Sequence, residues 1–420
     1  MTTITSDRVS NAKSHLVAFD SVEQTLPGQH RPAIARGRRG ALAQFGELSF
    51  PSERHEDWKF TSLNRLTRTP LALGGAGGVR VEVEGSLPAG VVVLPLAEAL
   101  KQHPELVEAH LGQHSPVRTQ PLAALTSAFW NDGVFVYVPD GVVVETPIQV
   151  VYEPPHEGEP AFYHRRLLAV FGARTQATLA ELHTGPGGVR ATSVVAECIL
   201  GEGAVVDHYK IQEESTEAFH LSCMQVVVPA RANFSTHYVG LGGSLVRNEV
   251  RVLFTGQHAE ATVNGLYLAR GSQHMDNHTV IDHAQPNCAS HELYKGILDG
   301  KAHGVFNGKI FVRQDAQKTD AKQTNQTLLL SDDATINTKP QLEIYADDVK
   351  CTHGATVGQL DEQQLYYLRS RAIGLEQARA LLTFAFANDI VNRVKVPTLR
   401  ARLEAALLEV NHLPRLESAE

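Results

Sequence analysis

The residues best placed to carry out chemistry are Cys351 and His353, within the stretch Lys-Cys-Thr-His-Gly-Ala-Thr. Residues two apart on a strand point to the same face, so a strand here would present a thiol and an imidazole side by side. Both groups bind soft or borderline metal ions, and the neighbouring Lys350 would favour the thiolate. Two ligands are too few for a closed metal site. The pair therefore indicates either a half-site completed by a partner or a buried structural cysteine.

A second group of possible ligands lies between residues 274 and 291, namely His274, His278, His283, Cys288 and His291. The even offset between the first two places them on one face of a strand. Imidazole suits zinc, copper or iron. No pair has a familiar metal-binding spacing, so histidines that hydrogen-bond along stacked strands are the alternative interpretation.

Other motifs are either ambiguous or missing. The pairs Asp332-Asp333 and Asp347-Asp348 could serve glycosidic chemistry, but Ser-Asp-Asp-Ala and Ala-Asp-Asp-Val are typical of turns.

The four cysteines form no CxxC motif, which excludes zinc-ribbon and ferredoxin patterns. The sequence also lacks a GxxxxGK[ST] loop, a GxSxG elbow and an HExxH pair. ATP binding in the P-loop manner is thus excluded.

Composition narrows the class of protein further. The 420 residues are 43% hydrophobic and 20% charged, as in an ordinary folded protein of two or three domains. A net charge of −8 disfavours nucleic-acid binding, and no apolar run is long enough to predict a membrane-spanning helix. Residues 1–20 carry Asp7, Arg8, Lys13 and His15 without an apolar core. We therefore expect no secretory signal and a cytoplasmic protein.

The residue pattern divides the chain into three regions. Residues 1–133 mix short strands with helices and are broken by proline and glycine, which predicts a mixed helical region. From 134 to 355, short runs of Val, Ile, Thr and Phe alternate with polar residues, as in a succession of strands. Residues 356–420 return to a helical period.

Four tyrosines mark an irregular repeat in the strand region: Tyr209, Tyr238, Tyr267 and Tyr294 step by 29, 29 and 27 residues. Repeats of about 20–50 residues are typical of solenoids and propellers. Strands without a propeller signature favour a β-solenoid, whose coils stack and bury a continuous core. We therefore predict a mainly β protein with a β-solenoid core.

The C-terminal region should contain three helices. Asp361 can cap a helix that runs to about Ser370, residues 375–394 form a second, and Pro397 opens a third. Apolar side chains of the third helix fall on one stripe, made of Leu399, Leu403, Ala406, Leu407 and Val410. This stripe could pack against the chain's own core or dock a partner protein.

Residues 350–371 closely resemble the signature of the SufB/SufD family of the SUF iron–sulfur cluster assembly machinery. The resemblance extends upstream through 305–310 and 316–321 and includes the N-terminal segment 53–61, so it covers nearly the whole chain. The Cys-x-His-Gly-Ala-Thr form is similar to the SufD branch, whereas the SufB branch typically has a Glu-His-Glu-Ala-Thr motif here. One departure is Ala372, where the family pattern has glycine.

The resemblance implies a right-handed parallel β-helix core flanked by helical N- and C-terminal regions. It implies a non-catalytic scaffold that pairs with a SufB-like subunit through the β-helices. The C-terminal helices, 356–420, would bind a SufC-like ATPase that hydrolyses ATP. His353, with Cys351 beside it, would form an interface half-site for a nascent iron–sulfur cluster and for iron acquisition.

Further expectations concern the whole complex. A flavin is associated with the family's complex, but no flavin-binding residue is identifiable in this sequence. Without partners, such a chain could form a homodimer.

Two other classes remain open at this point. A stand-alone enzyme on a β-solenoid, such as a polysaccharide lyase or hydrolase, would need clustered carboxylates with a basic residue in a groove. Such enzymes are commonly secreted, which the charged N-terminal residues do not favour. A purely structural interaction protein would join the complex without ligating the cluster.

Overall fold

The computed structural model describes residues 18–154, 159–185 and 187–410. Asp7, Arg8, Lys13 and His15, on which the expectation of no secretory signal rests, lie outside the described residues. Within the described ranges, no helix combines the length and the apolar character needed to cross a membrane.

Strands dominate the described part of the chain. They are β1 Ala72–Leu73, β2 Val79–Val83, β3 Val92–Pro95, β4 Asp132–Val138, β5 Ile148–Tyr152, β6 Ala161–Phe171, β7 Gln176–His183, β8 Ala191–Leu200, β9 Val205–Gln212, β10 Phe219–Val228, β11 Asn233–Gly240, β12 Leu245–Phe254, β13 Glu260–Ala269, β14 His274–His283, β15 Ala289–Leu298, β16 His303–Val312, β17 Asp320–Leu329, β18 Thr335–Ile344 and β19 Lys350–Gly358.

Helices lie before and after the strands. They are α1 Pro32–Leu48, α2 Asn64–Arg68, α3 Leu96–Gln102, α4 Pro104–His110, α5 Pro121–Phe129, α6 Glu362–Ser370, α7 Leu375–Val391 and α8 Pro397–Val410.

Successive strands alternate between two sheets. The first has the order β18-β16-β14-β12-β10-β8-β6-β4-β3, with β1 also beside β6, and the second has the order β19-β17-β15-β13-β11-β9-β7-β5-β2. Neighbours along the stack are parallel. Among the described strands, only β2 with β5 and β3 with β4 are antiparallel. The chain is therefore a parallel β-helix with helices on either side in sequence, which confirms the predicted fold.

One left-handed residue recurs at the same corner of successive coils. These residues are Arg174, Gly203, Arg231, His258, Asn287 and Lys318, with φ between 55° and 69°. Five of the six donate their backbone amide to a carbonyl of the next coil; that of Arg231, for example, reaches the oxygen of Gln257 at 3.0 Å. A non-glycine residue rarely adopts positive φ. The hydrogen bond between coils offsets part of the strain of this turn.

Tyrosine and glycine side chains complement each other inside the solenoid. Gly265 lies in register between Tyr238 and Tyr294 of the adjacent coils. A Cβ atom added at Gly265 would lie 2.2 Å from the ring of Tyr294. Gly296 leaves room for the ring of Tyr267 in the same way. Small and large residues thus alternate from coil to coil, as close packing requires.

The spacing of the four tyrosines reflects the length of a coil. The tyrosines do not, however, occupy equivalent positions in their coils. Register partners in neighbouring coils are offset by 26 residues at Phe219 and Leu245, and by 32 at His303 and Thr335. Tyr209 faces outward, where its hydroxyl accepts a hydrogen bond from the backbone amide of Lys395 at 3.1 Å. The other three tyrosines belong to the interior core.

The C-terminal helices begin where the sequence predicts. The Asp361 carboxylate caps α6 by accepting hydrogen bonds from the amides of Gln363 and Gln364, and α7 ends at Val391, three residues earlier than predicted. Leu399, Leu403 and Leu407 of α8 are buried against the outer face of the second sheet. The three leucines of the stripe thus pack on the chain's own core.

The packing between tyrosine and glycine makes a testable prediction for stability. Gly265→Ala should lower the free energy of unfolding by about 1–3 kcal/mol, because the methyl group has no room against Tyr294. Urea denaturation of the purified chain measures this value. Gly354→Ala is the control, since an added Cβ there meets nothing within 4 Å. Equal stability of the two variants would contradict the packing argument.

Candidate functional site

Cys351 and His353 lie on β19, the last strand of the second sheet. Cys351 is in register with Ala321 and His353 with Gln323, both on β17. Ala321 belongs to the interior core, and Cys351 packs against that core. Because side chains alternate along a strand, the His353 side chain should point to the same side of β19 as that of Cys351. The expectation that both residues lie on one strand is therefore confirmed, and their even spacing on it predicts a shared face.

The terminal coil leaves two strand edges without a partner. Among the described strands, β18 pairs only with β16, and β19 pairs only with β17. Residues of β19 are exposed except for the half-buried Cys351, and the side chain of His353 lies at the surface. Tyr345 and Val357 are 59% and 47% exposed. Unpaired backbone groups beside exposed apolar side chains form a template for adding another strand.

The Cys351 thiol is less acidic than expected. Burial raises its pKa, the backbone amide of Ala321 opposes this shift, and the nearby Asp320 carboxylate adds to it. The expectation that Lys350 favours a thiolate is thus wrong for the isolated chain. Cysteine must lose its proton to bind a metal ion, whereas a neutral imidazole needs no such step. His353 is therefore the readier ligand of the two.

The histidine group between 274 and 291 does not converge on one point. His274 and His278 share the outer face of β14, as predicted, whereas His283 is buried and its Nε2 lies 2.9 Å from the Ser290 hydroxyl. Cys288 is buried at a corner, where its thiol contacts the Gly256 carbonyl. The alternative of separate hydrogen-bonded histidines is confirmed for these positions.

More generally, the described part of the chain contains no group of three or more His, Cys, Asp or Glu residues arranged to hold a metal ion. The pair at Cys351 and His353 is thus at most part of a site.

His274 and His278 instead help to anchor the N-terminal segment 53–61 on the first sheet. The Thr61 hydroxyl donates to the Asp276 carboxylate at 2.6 Å and lies 2.9 Å from Nε2 of His274. Arg247 stacks on Trp58 at 3.9 Å and donates to the same carboxylate at 2.6 Å. The family-like segment therefore fixes the N-terminal region to the solenoid.

The two aspartate pairs lie outside the strands. Asp332 and Asp333 occupy the turn between β17 and β18, and Asp347 and Asp348 occupy the bend between β18 and β19. The interpretation as turn residues is confirmed. These positions give no support to the glycosidic alternative.

A charged interior is the main feature that the sequence reading missed. The Glu181 carboxylate lies 3.0 Å from Nε2 of His208, and that of Glu214 lies 2.7 Å from Nδ1 of His220. Lys210 donates to Asn248 at 3.0 Å. All are buried between the two sheets. The sequence signal for this interior is the alternation of polar residues along consecutive strands. The same alternation also predicts strands with one solvent-facing side, so it does not by itself indicate buried charges.

Polar groups also lie in the coil beneath His353. Its register neighbour Gln323 donates to the Glu292 carboxylate at 2.8 Å, and Asn325 donates to the Thr338 hydroxyl at 2.8 Å across the interior. Burial raises the pKa of Glu292 to about 7. Buried polar residues thus satisfy one another between neighbouring coils at Gln323 and Glu292, and between the two sheets at Asn325 and Thr338.

Buried histidines predict how stability depends on pH. Burial lowers the pKa of His183, His237 and His274 to about 4 and that of His283 to about 3, from 6.5. Below about pH 6.5 the unfolded chain binds more protons than the folded one. The free energy of unfolding should therefore fall as the pH drops from about 6.5 to about 4.

Urea denaturation over a pH series tests this dependence. Replacing His283 with Asn should reduce the slope by up to about 1.4 kcal/mol per pH unit, because one proton fewer distinguishes the two states. His291→Asn, at an exposed position, should leave the slope unchanged. Equal slopes in all three proteins would contradict the prediction.

Together, the fold and the site define a class of protein: a parallel β-helix that presents a thiol and an imidazole at an open end. Comparison with known proteins identifies the family. Residues 155–386 match the model described as SUF system FeS cluster assembly, SufBD core domain, and residues 79–150 match the SufBD protein N-terminal region. The chain belongs to the SufBD family of SUF iron–sulfur cluster assembly proteins, which confirms the resemblance.

Curated relatives cover most of the chain. An iron–sulfur cluster assembly SufBD family protein of Synechocystis is 29% identical, over 93% of this chain and 95% of its own length. One from Mycobacterium leprae is 31% identical, over 91% of this chain and 96% of its own. The iron–sulfur cluster assembly protein SufD of Escherichia coli is 28% identical, over 87% and 90%. The similarity therefore extends over core and flanking regions together.

Proposed function

We propose that the chain is the SufD-type scaffold subunit of a SUF iron–sulfur cluster assembly complex. It pairs with a SufB-like subunit at the open end of the β-helix and binds a SufC-like ATPase through its C-terminal helical region. A nascent cluster forms at the interface with the SufB-like subunit. The observation that carries the proposal is the position of His353 and Cys351 together on β19, the terminal strand, whose outer edge has no partner among the described strands.

Pairing through the open end follows from the two free edges. A second β-helix can continue the backbone ladders of β18 and β19, as in strand addition at an exposed sheet edge. Tyr345 and Val357 supply exposed apolar surface for the same contact. This arrangement places His353 against the partner, where ligands from both subunits can meet.

The half-site suits iron and sulfide as substrates of assembly. His353 offers an imidazole nitrogen, which is a good ligand for iron. Cys351 offers a sulfur ligand only after losing a proton that burial helps it retain. We therefore assign the primary ligand role to His353 and a subsidiary one to Cys351. Iron acquisition through this subunit belongs to the same proposal.

Docking of the SufC-like ATPase is assigned to α6. None of its residues is buried, and Tyr366 and Tyr367 are 76% and 55% exposed. Exposed aromatic side chains are characteristic of binding hot spots. The apolar stripe of α8 is already covered by the second sheet. Of the three described C-terminal helices, α6 is the one without a buried residue.

The docking helix is close in sequence and in space to the half-site strand. β19 ends at Gly358 and α6 begins at Glu362. A groove of about 450 Å³, lined by Thr356, Gln364 and Phe386 among others, separates them. ATP-driven association of the SufC-like subunits would move α6 and thereby shift β19 at the interface. ATP hydrolysis would reside in that partner, since this chain has no P-loop.

Cluster reconstitution tests the half-site. The chain is co-purified with its SufB-like and SufC-like partners and supplied anaerobically with iron and sulfide. His353→Ala should reduce the sulfide-to-iron charge-transfer absorbance to about a tenth or less, because a ligand is lost. Cys351→Ala should have a smaller effect. His291→Ala replaces an exposed histidine on the same sheet and should leave the absorbance unchanged.

The outcomes separate a ligating scaffold from a purely structural subunit. An intact complex with normal absorbance in His353→Ala would remove the histidine from the chemistry and leave only a structural role. Failure of the wild-type chain to form the complex would refute the proposed function.

Partner binding provides a crossed test of the two surfaces. Tyr366→Ser with Tyr367→Ser should weaken retention of the SufC-like ATPase by about tenfold or more, since hot-spot residues dominate binding energy. Val357→Asp should weaken pairing with the SufB-like subunit by placing a charge in the apolar contact. Each variant is the control for the other in pull-down experiments. If either variant lost both partners, the proposal that the two partners bind different surfaces of the chain would be contradicted.

A further inference from the structure

A cavity of about 450 Å³ lies in the N-terminal region, away from the open end of the β-helix. One wall is the face of α1 that carries Ala33, Gly37, Gly40 and Ala41. A Cβ atom added at Gly37 or Gly40 would meet nothing within 4 Å. The small residues therefore leave room for another molecule along the helix.

The opposite wall is a loop that a buried carboxylate holds in place. Glu197 accepts hydrogen bonds from the amides of Gly112 and His114 at 2.8 and 2.9 Å. Leu111 and Val117 of this loop add apolar surface to the cavity. The wall is thus fixed to the solenoid at β8.

Two buried arginines lie at the base of the cavity. Arg38 and Arg166 both line it, and each is only 1% exposed. The Nε atom of each has no hydrogen-bond partner among the described protein groups. Arg38 also stacks on the indole of Trp130 at 3.9 Å, and Trp130 lines the same cavity. Burying a charged group is costly unless its charge and its donors are satisfied.

The cavity carries more positive than negative charge. Arg166 is paired with Glu197, whereas Arg38 donates only to the carbonyls of Ala128, Trp130 and Pro27. Burial and the charge of Arg166 together lower the pKa of Arg38 to about 9, and the charge of Glu23 opposes this shift. Arg118 at the rim has no carboxylate partner within the described ranges. Arg38 and Arg118 therefore have no hydrogen-bonded carboxylate among the described residues, and Glu108, which also lines the cavity, is paired with Arg31.

We propose that this cavity binds a phosphate ester with an apolar body. The phosphate group lies at Arg38 and Arg118, with the hydroxyl of Ser127 close by, and the apolar part lies along α1 and against Trp130. A phosphate monoester carries a charge of about −1.5 to −2 at neutral pH, which suits two guanidinium groups without a hydrogen-bonded carboxylate. Guanidinium groups also suit the geometry of phosphate oxygens. This site is independent of cluster chemistry at the open end.

Calorimetric titration of the full chain with phenyl phosphate tests the site. We expect binding of one molecule per chain, tighter than that of benzoate, which has the same ring but a single charge. Gly40→Leu should weaken the affinity for phenyl phosphate at least about tenfold by filling the cavity, and Arg118→Ala should weaken it several-fold. Gly46→Leu is the matched control, on the same helix but outside the cavity.

Both glycine variants should fold, because leucine is a better helix former than glycine and neither position is crowded. Emission of Trp130 gives a second readout of occupancy. No binding of phenyl phosphate at millimolar concentration would overturn the proposal. Equal affinities of Gly40→Leu and Gly46→Leu would also overturn it, since binding would then lie elsewhere.

Discussion

Backbone hydrogen bonding from one coil to the next is the interaction on which the rest of this structure depends. Each strand inside the stack has a parallel partner on both sides. At the N-terminal end, antiparallel β2 and β3 cover the first coil, whereas the described residues provide no cover for β18 and β19. An open edge favours unwanted association. The candidate site of this SufBD protein lies on one of these two open strands, β19.

Side-chain packing in the interior of the solenoid determines the register between neighbouring coils. A solenoid with a uniformly apolar core could shift its register, because one aliphatic residue replaces another at little cost. Here Tyr294 fits only beside Gly265, and His208 meets Glu181 only in the observed register. Buried polar pairs contribute little net stability, but they penalise alternative arrangements in which a charge loses its partner. Precise register, in turn, places Cys351 and His353 on one face at the final edge.

Much of the fold could be predicted from the sequence, since the strand pattern, the repeat length and the family resemblance agree. The left-handed corners could not, because Arg174, Arg231 and Lys318 are residue types that do not favour positive φ. The histidine group was misleading for a different reason. Proximity in sequence placed His283 and His291 together, whereas a coil turns between two sheets and sends them to different environments. Side-chain direction could be predicted within one strand, as for Cys351 and His353, but not across a corner.

The difference between the two ends also orders events during protein synthesis. The N-terminal strands that cover the first coil leave the ribosome early, so each later coil can add to a surface that is already closed at its far side. The strand that carries Cys351 and His353, β19, is made only after residue 350. A growing chain has an open edge at its newest coil, but that edge lacks both side chains until the solenoid beneath β19 is complete. Only nearly full-length chains therefore present the thiol and the imidazole.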